Sequence, residues 1–405
     1  MRVALVHDYL NQYGGAERVL EALAKLFPKA PIFTLLYDER RTHGAFKDRQ
    51  VIPSGLQKIP GARHWHRGVV WLMPTAVEQF DLHDFDVVIS DSASFAKGVI
   101  TRPSTLHICY CHTPLRYAWT DHARWRADFR RSPAKLFIPL FQNYLRLWDY
   151  AAAQRVDAFL ANSHAVAKRI KRYYNRDSHV IYPPVDVEKF RNPKSETRNY
   201  NESRRDKVSG FRFQDAGTYY LVVSRLLPYK SVDLAVKAFN VLGLPLKVVG
   251  DGPERRRLEK MARPNIKFLG GRAPHNLAEI YAGAKALIFP QEEDFGLVAV
   301  EALAAGTPVI GFNAGGLPEI VRHNEHGLLF NKQTPESLAE AVRQLEPRSF
   351  DRRALFSQAQ QFSAERFSTA FMAFLNDRLR DREQRDNGHN SRNGGGYKYR
   401  DKILE

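Results

Sequence analysis

Short runs of four to six apolar residues recur along this chain, alternating with stretches of helical periodicity. The first series is Arg2 to His7, Pro31 to Leu36, Asp86 to Ser90, Leu106 to Tyr110 and Asp157 to Asn162. Between the first two, Gly15 to Phe27 places Val19, Leu20, Leu23, Leu26 and Phe27 at helical spacing. From Arg191 to Ala216 the chain turns polar and charged, as an exposed linker does. The alternation then restarts with Tyr219 to Ser224, Leu246 to Val249, Ile266 to Leu269, Ala286 to Phe289, Val309-Ile310 and Gly327 to Phe330. Runs that are apolar throughout suit parallel strands covered on both faces. The expected fold is therefore α/β, with two doubly wound, Rossmann-like domains facing a central cleft. The expected divisions are a first domain over 1–190, a linker over 191–217 and a second domain over 218–350. C-terminal helices over 351–382 follow, the last returning to the first domain, and then a disordered basic tail over 383–405.

A chain of 405 residues gives each domain enough length for its own core. No apolar run approaches the ~18 residues of a membrane span. The N-terminus reads as a core strand, not a signal peptide. Cys109 and Cys111 lie two apart on one expected strand and cannot form a sound disulfide, so a reducing cytoplasm is the expected compartment. The net charge of +17 points to an anionic partner. No helix-turn-helix, zinc-finger spacing or RNA-binding aromatic signature accompanies it, so a membrane face or a diphosphate substrate fits better than nucleic acid.

The most specific segment is Phe289-Pro-Gln-Glu-Glu293-Asp-Phe295-Gly296-Leu297-Val-Ala-Val-Glu301. Its two carboxylates stand eight positions apart, near one face if the helical turn is continuous. Strands are expected on either side, which sets the intervening loop at the carboxyl edge of a parallel sheet. An acidic residue at a helix start can serve only as a dipole partner, but that explains one glutamate and not the whole segment. Gly306-Thr-Pro-Val-Ile310 and Gly315-Gly316-Leu-Pro-Glu319 follow.

Together these runs resemble the family-4 retaining glycosyltransferases of the GT-B fold, whose hallmark is Glu-x7-Glu ahead of a Gly-x-Pro-Val-Ile strand. The resemblance extends to about Leu379 and is strongest from Val222 to Leu329. It implies that Glu301 accepts hydrogen bonds from the donor ribose and that Glu293 sits by the donor sugar. The backbone amides of Phe295, Gly296 and Leu297 would contact sugar or phosphate. Arg225 and Lys230, in Ser-Arg-Leu-Leu-Pro-Tyr-Lys, match the pair that clamps the diphosphate as its charge grows. His112, in Cys-His-Thr-Pro, matches a histidine that bonds the donor sugar from the opposite wall; a lone strand-end histidine is otherwise usually structural.

Three glycine-rich turns admit two readings. Gly14 and Gly15, ahead of the first helix, would offer free amides and a helix dipole to the diphosphate and the acceptor, although such turns are common. Gly250 in Val-Gly-Asp-Gly-Pro, and Arg272 after Gly270-Gly271, would cradle the nucleobase. A tight turn into the next helix explains those glycines equally well.

Other motifs read as structure. Asp84-Phe-Asp86 looks like a metal-binding Asp-x-Asp element but precedes its strand, at the wrong edge for a cleft. His107-Ile-Cys-Tyr-Cys-His112 is too crowded to wrap a zinc ion. No metal or cofactor is expected, the nucleotide sugar being a substrate. Arg63 to Phe80 is basic and aromatic, and a second stretch, Trp119 to Trp148, interleaves Trp119, Trp125, Phe129, Phe137, Phe141 and Trp148 with basic residues. They suit attachment to an anionic membrane, unless the aromatics simply pack between helices.

The opening His7-Asp8-Tyr…Gly14-Gly15-Ala-Glu-Arg and the Cys-His-Thr-Pro run look most like bacterial mannosyltransferases of surface polysaccharide, including O-antigen. The implied reaction passes a hexose, mannose from GDP-mannose, to a sugar hydroxyl with retention. The acceptor would be a glycan or a polyprenyl-diphosphate-linked sugar, met at the inner face of the plasma membrane. A UDP-hexose donor, or an epimerase or phosphorylase on a related fold, is the alternative.

Overall fold

The computed structural model describes residues 1–61, 66–120, 137–191, 217–271, 274–346 and 348–393. Most of the expected linker, 192–216, and the end of the expected tail, 394–405, lie outside the described residues.

The chain forms two units, each built on one wholly parallel sheet. The first comprises Met1–Pro184 and Phe367–Glu405. Its strands are β1 (Val3–His7), β2 (Ile32–Thr34), β3 (Val51–Pro53), β4 (Val87–Ser92), β5 (Leu106–Cys111), β6 (Ala158–Ala161) and β7 (Ser178–Val180). They lie in the order β3-β2-β1-β4-β5-β6-β7. Its helices are α1 (Gly15–Leu26), α2 (Met73–Glu78), α3 (Ile138–Gln154) and α4 (His164–Tyr174).

The second unit, Val185–Arg366, begins with helix α5 (Val187–Phe190). Its strands are β8 (Tyr219–Val223), β9 (Leu246–Val249), β10 (Ile266–Gly270), β11 (Ala284–Phe289), β12 (Val309–Phe312) and β13 (Gly327–Phe330), in the order β10-β9-β8-β11-β12-β13. Helices α6 (Val232–Leu242), α7 (Arg255–Met261), α8 (Pro274–Ala282), α9 (Leu297–Ala304), α10 (Leu317–Ile320), α11 (Pro335–Leu345) and α12 (Arg352–Gln360) complete it. Helix α13 (Ala364–Asn393) is the last described element. From Phe367 it belongs to the first unit, where Phe367, Phe371 and Leu375 join the core around α1 and β1.

The apolar runs form strands because both faces are covered. Every residue of β4 and β5 is buried. Two strands escape a reading by pattern: β3 and β7 are three-residue edge strands without a fully buried position. A half-solvated edge carries little apolar signal.

The boundaries correct the sequence-based divisions. Val185 to Phe190 belongs to the second unit, not the first. Asp186 caps α5 by accepting from the Lys189 amide at 3.2 Å, and the Phe190 ring sits edge-on to Tyr281 at 5.9 Å. So short a helix shows its allegiance only through what it packs on. Helix α13 also runs past residue 382, where a tail was expected. Glu383, Gln384 and Arg385 are good helix formers, and one turn earlier Arg378–Asp381 at 3.2 Å is an i,i+3 pair of the kind that supports an exposed helix; Asp386 to Asn393 are mostly weak formers, which is why the sequence reads there as a tail.

In each sheet the strand order reverses once, between β1 and β4 and between β8 and β11. The connections leave in opposite directions there, so the carboxyl ends open a crevice suited to ligands.

Candidate active site

In the second unit, residues after β8 and β11 meet at the switch point. A single turn over Pro228–Lys230 brings the Lys230 ammonium into an ion pair with the Glu293 carboxylate. Both side chains are largely shielded, at 11% and 18% exposed, so water screens the pair weakly. Gln291 donates to the other Glu293 oxygen at 3.3 Å, a contact the sequence did not single out. Arg225 stands exposed on the same loop and reaches the Tyr229 hydroxyl at 3.4 Å. The structure therefore joins Lys230 to Glu293, with Arg225 on the same loop as Lys230 and exposed.

The two glutamates of the Glu-x7-Glu segment are not on one continuous helix. Gly296 adopts φ 116° and α9 starts only at Leu297, so helical periodicity does not relate Glu293 to Glu301. Glu301 is buried inside α9 and accepts from the Tyr281 hydroxyl at 2.9 Å, which ties α9 to α8. Phe295 turns its ring into the core against Phe362, leaving only its backbone for a ligand. The Gly315-Gly316 pair holds the Glu293 loop. The Gly316 amide donates to the Glu293 carbonyl at 2.8 Å, and a Cβ at Gly315 would lie 2.1 Å from that same oxygen. No other residue type allows this approach.

Gly250 has a similar structural reason. A Cβ there would sit 1.8 Å from the Ser224 carbonyl, so the glycine lets the end of β9 lie against the loop that carries Arg225. Arg272 lies outside the described residues.

In the first unit, Gly14 caps α1, but its amide is already taken: it donates to Glu17 Oε2 at 2.7 Å. This corrects the expectation of a free Gly14 amide for phosphate; only Gly15 and the residues after it could serve. His112 follows β5 and is mostly shielded. Its Nε2 donates to Asp91 Oδ1 at 2.6 Å, and Asp91 Oδ2 accepts from His7 Nδ1 at 2.8 Å. His7 and Asp91 are register partners at the ends of β1 and β4, the switch point of this sheet. Burial works against charge on His7, yet its bonds to Asp91 and Glu17 win and push its pKa up to about 10. Sequence reasoning missed Asp91; His7 and Glu17 appeared only within a family-like run. Asp8 plays a separate part. It accepts from the Ala93, Phe95 and Ala96 amides at 2.6 to 2.7 Å and fixes the loop after β4.

The remaining motifs are placed as follows. Asp86 accepts from the Arg2 amide at 2.6 Å and Asp84 pairs with the Arg2 side chain at 3.4 Å, at the amino edge of β4. His107 is buried against Ser90 Oγ at 2.8 Å; burial pushes its pKa down to about 3 and keeps it neutral. Among the described residues, no three His, Cys, Asp or Glu side chains are grouped to hold a metal ion. Two tryptophans of the basic stretch turn inward: Trp119 donates to Asp149 at 2.8 Å and Trp148 to Glu78 at 3.0 Å. Phe141 packs on the same core, while Trp125 and Phe129 lie outside the described residues. Phe137, Leu140, Tyr144 and Leu147 instead form an exposed stripe along α3 and its cap.

Residues 13–189 match the family profile described as "Glycosyltransferase Family 4", and residues 204–362 match "Glycosyl transferases group 1". A D-inositol 3-phosphate glycosyltransferase of Corynebacterium urealyticum is 31% identical over 287 residues, covering 61% of this chain and 64% of that one. A GDP-mannose-dependent alpha-(1-6)-phosphatidylinositol monomannoside mannosyltransferase of Mycobacterium tuberculosis is 33% identical over 181 residues, or 40% of this chain and 45% of that one. These matches span less than two thirds of either relative's length. Anabaena HepE, solved with UDP, shares the fold with TM-score 0.66 and 18% identity over 93% of this chain and all of that one. Sucrose-phosphate synthase from Thermosynechococcus elongatus does so with TM-score 0.66 and 18% identity, over 94% of this chain and 99% of that one. The two profiles together take in most of both units, and the chain belongs to the glycosyltransferases that they describe.

Proposed function

We propose that the protein is a retaining, metal-independent hexosyltransferase that passes mannose from GDP-mannose to a sugar hydroxyl of a lipid-linked or polysaccharide acceptor. The observation that carries this is the Lys230–Glu293 pair at the switch point of the second sheet. A cation and a carboxylate side by side suit a donor that presents a diphosphate next to a sugar. Lys230 and Arg225 take the diphosphate oxygens, Glu293 favours positive character at the anomeric carbon, and Glu301 takes the ribose. In the first unit, His112 is assigned to the donor sugar. The bond from the anomeric carbon to the departing phosphate oxygen breaks as the acceptor oxygen bonds on the same face. The acceptor proton passes to the leaving diphosphate, so no enzyme nucleophile is required.

Mannose is favoured by the mycobacterial relative, whose description names GDP-mannose. A thermal-shift screen with GDP, UDP and dTDP sugars tests the donor. The expected result is stabilisation by GDP-mannose, about 2.7 kcal/mol at a hundredfold excess over Kd. Stabilisation by UDP-hexoses alone would transfer the proposal to that donor class. Turnover in excess EDTA should persist, and its complete loss would defeat metal independence.

The exposed α3 stripe supports attachment to an anionic membrane face. Phe137, Leu140, Tyr144 and Leu147 recur at i, i+3, i+7 and i+10, one side of a helix, on a chain of net charge +17. No helix among the described residues is long and apolar enough to cross a membrane. Each buried leucine is worth about 1.5–3 kcal/mol, so Leu140→Glu with Leu147→Glu should weaken binding to phosphatidylglycerol vesicles at least tenfold. Absence of wild-type binding at low salt would end this reading.

A further inference from the structure

A line of four ionisable side chains runs through the first unit, drawn from α1, β1, β4 and the end of β5. Glu17 Oε1 lies 3.8 Å from His7 Nε2, His7 Nδ1 bonds Asp91 at 2.8 Å, and Asp91 bonds His112 Nε2 at 2.6 Å. His7, Glu17 and Asp91 are all buried, while the His112 side chain is 12% exposed. The line thus begins in the core and ends at the one member that meets solvent.

We propose that Asp91, backed by His7, is a positioning residue that locks His112 into a single ring orientation and holds it as a cationic hydrogen-bond donor toward the bound donor substrate. This deepens the function proposed above and rests on His112 acting on the donor.

An ionised carboxylate only accepts hydrogen bonds. Both nitrogens that face Asp91 must therefore carry hydrogen, which fixes Nε2–H on His112 and leaves Nδ1 for ligand. The charges then decide the state of His112. Within the line, Glu17 and Asp91 contribute two negative charges and His7 one positive, so these four side chains balance only when His112 is protonated, and the carboxylate of Asp8 nearby favours the same state. A buried group with unmatched charge is disfavoured. Burial alone would favour neutral His112, but Asp91 outweighs it; Asp8, which follows β1, adds to the pull and His7 opposes it. The Tyr110 ring, from β5, stands edge-on at 5.3 Å and brings no charge. A cationic donor is the form that suits a site where phosphate charge builds as the glycosidic bond breaks. Glu17 also holds the Gly14 amide at 2.7 Å, so the same line steadies the start of α1.

The test uses the full chain with 15N-labelled imidazoles and the variants Asp91→Asn, His112→Gln and their double. In the wild type, NMR should show His112 with Nε2 protonated and titrating above its ordinary value. In Asp91→Asn that titration should fall by at least one pH unit. Kinetically, Asp91→Asn should lower kcat roughly 10²-fold, as loss of an orienting partner does, with the donor KM within about threefold. The alkaline limb of its pH profile should move to lower pH. Adding Asp91→Asn to His112→Gln should cost little more, because Asp91 acts through His112. Wild-type His112 titrating near 6.5, or full additivity of the two substitutions, would overturn the proposal. The NMR arm needs no turnover, so it decides the positioning claim even if no sugar nucleotide proves to be a substrate. If Asp91→Asn does not fold, the wild-type titration still decides.

Discussion

Replacing Glu293 with alanine is expected to lower kcat roughly 10²–10³-fold while GDP binding stays as tight as in the wild type or tightens, the scale seen when one preorganised group at a reacting centre is lost. In this protein Glu293 holds the Lys230 ammonium, so a diphosphate must compete with the carboxylate for that cation. Removing the carboxylate releases Lys230 to the phosphate and strips the anomeric carbon of its stabilising charge. Lys230→Ala should behave differently. It removes a charge-assisted bond worth about 1.5–3 kcal/mol, so GDP affinity should fall roughly 10- to 100-fold. Calorimetric titration with GDP and steady-state kinetics separate the two effects. If Glu293→Ala keeps most of its activity, or if both variants lose GDP affinity equally, the division of labour is wrong and a non-catalytic role becomes the better account.

The largest expected loss of stability belongs to Asp149→Ala. Asp149, on α3, is fully buried and pairs with the equally buried Lys97, which follows β4. Its Oδ2 also accepts from Trp119 Nε1 at 2.8 Å and from the Tyr174 hydroxyl at 2.7 Å. Alanine would leave a buried ammonium and two further donors without this acceptor. Breaking one side of such a pair costs about 3–5 kcal/mol. For a unit of this size that lowers Tm by roughly 10 °C. Burial alone would depress the Lys97 pKa, but Asp149 raises it above its ordinary value. The pair's contribution is therefore complete below the unfolded lysine pKa of about 10.4 and is lost only as pH rises through the higher folded value. The Tm deficit of Asp149→Ala should be the same at pH 6 and pH 8. Lys97→Met with Asp149→Leu should recover much of the loss, because an apolar pair of similar volume needs no partner. A Tm change below about 3 °C for Asp149→Ala would show that the pair does not hold α3 to the sheet.

Much of this architecture is legible without coordinates. The runs from Val3 to His7 and from Tyr219 to Val223 are apolar at successive positions, and such runs have few homes outside a covered parallel sheet. Glu293, Gly296, Glu301 and the Gly315-Gly316 pair stand out because they share a short stretch of sequence, although the break at Gly296 takes Glu293 off the helix that carries Glu301. The unit boundary near Val185 was not legible, since α5 is four residues long and its two buried side chains could serve either core. The tryptophans of the basic stretch left two readings open for a related reason. Composition records that Trp119 and Trp148 are present but not which way they face; they reach Asp149 and Glu78, 30 and 70 residues away along the chain.

Local order thus determined the kind of fold and the acidic and basic residues at the edge of the second sheet. Only the tertiary structure decided that Lys230 meets Glu293 across 63 residues, that Glu17 occupies the Gly14 amide, and that Asp91 links His7 to His112. The physical reason is that periodicity and propensity act over a few residues. Charge pairing acts over a few ångströms, and a parallel sheet brings together at its strand ends residues that the sequence keeps far apart.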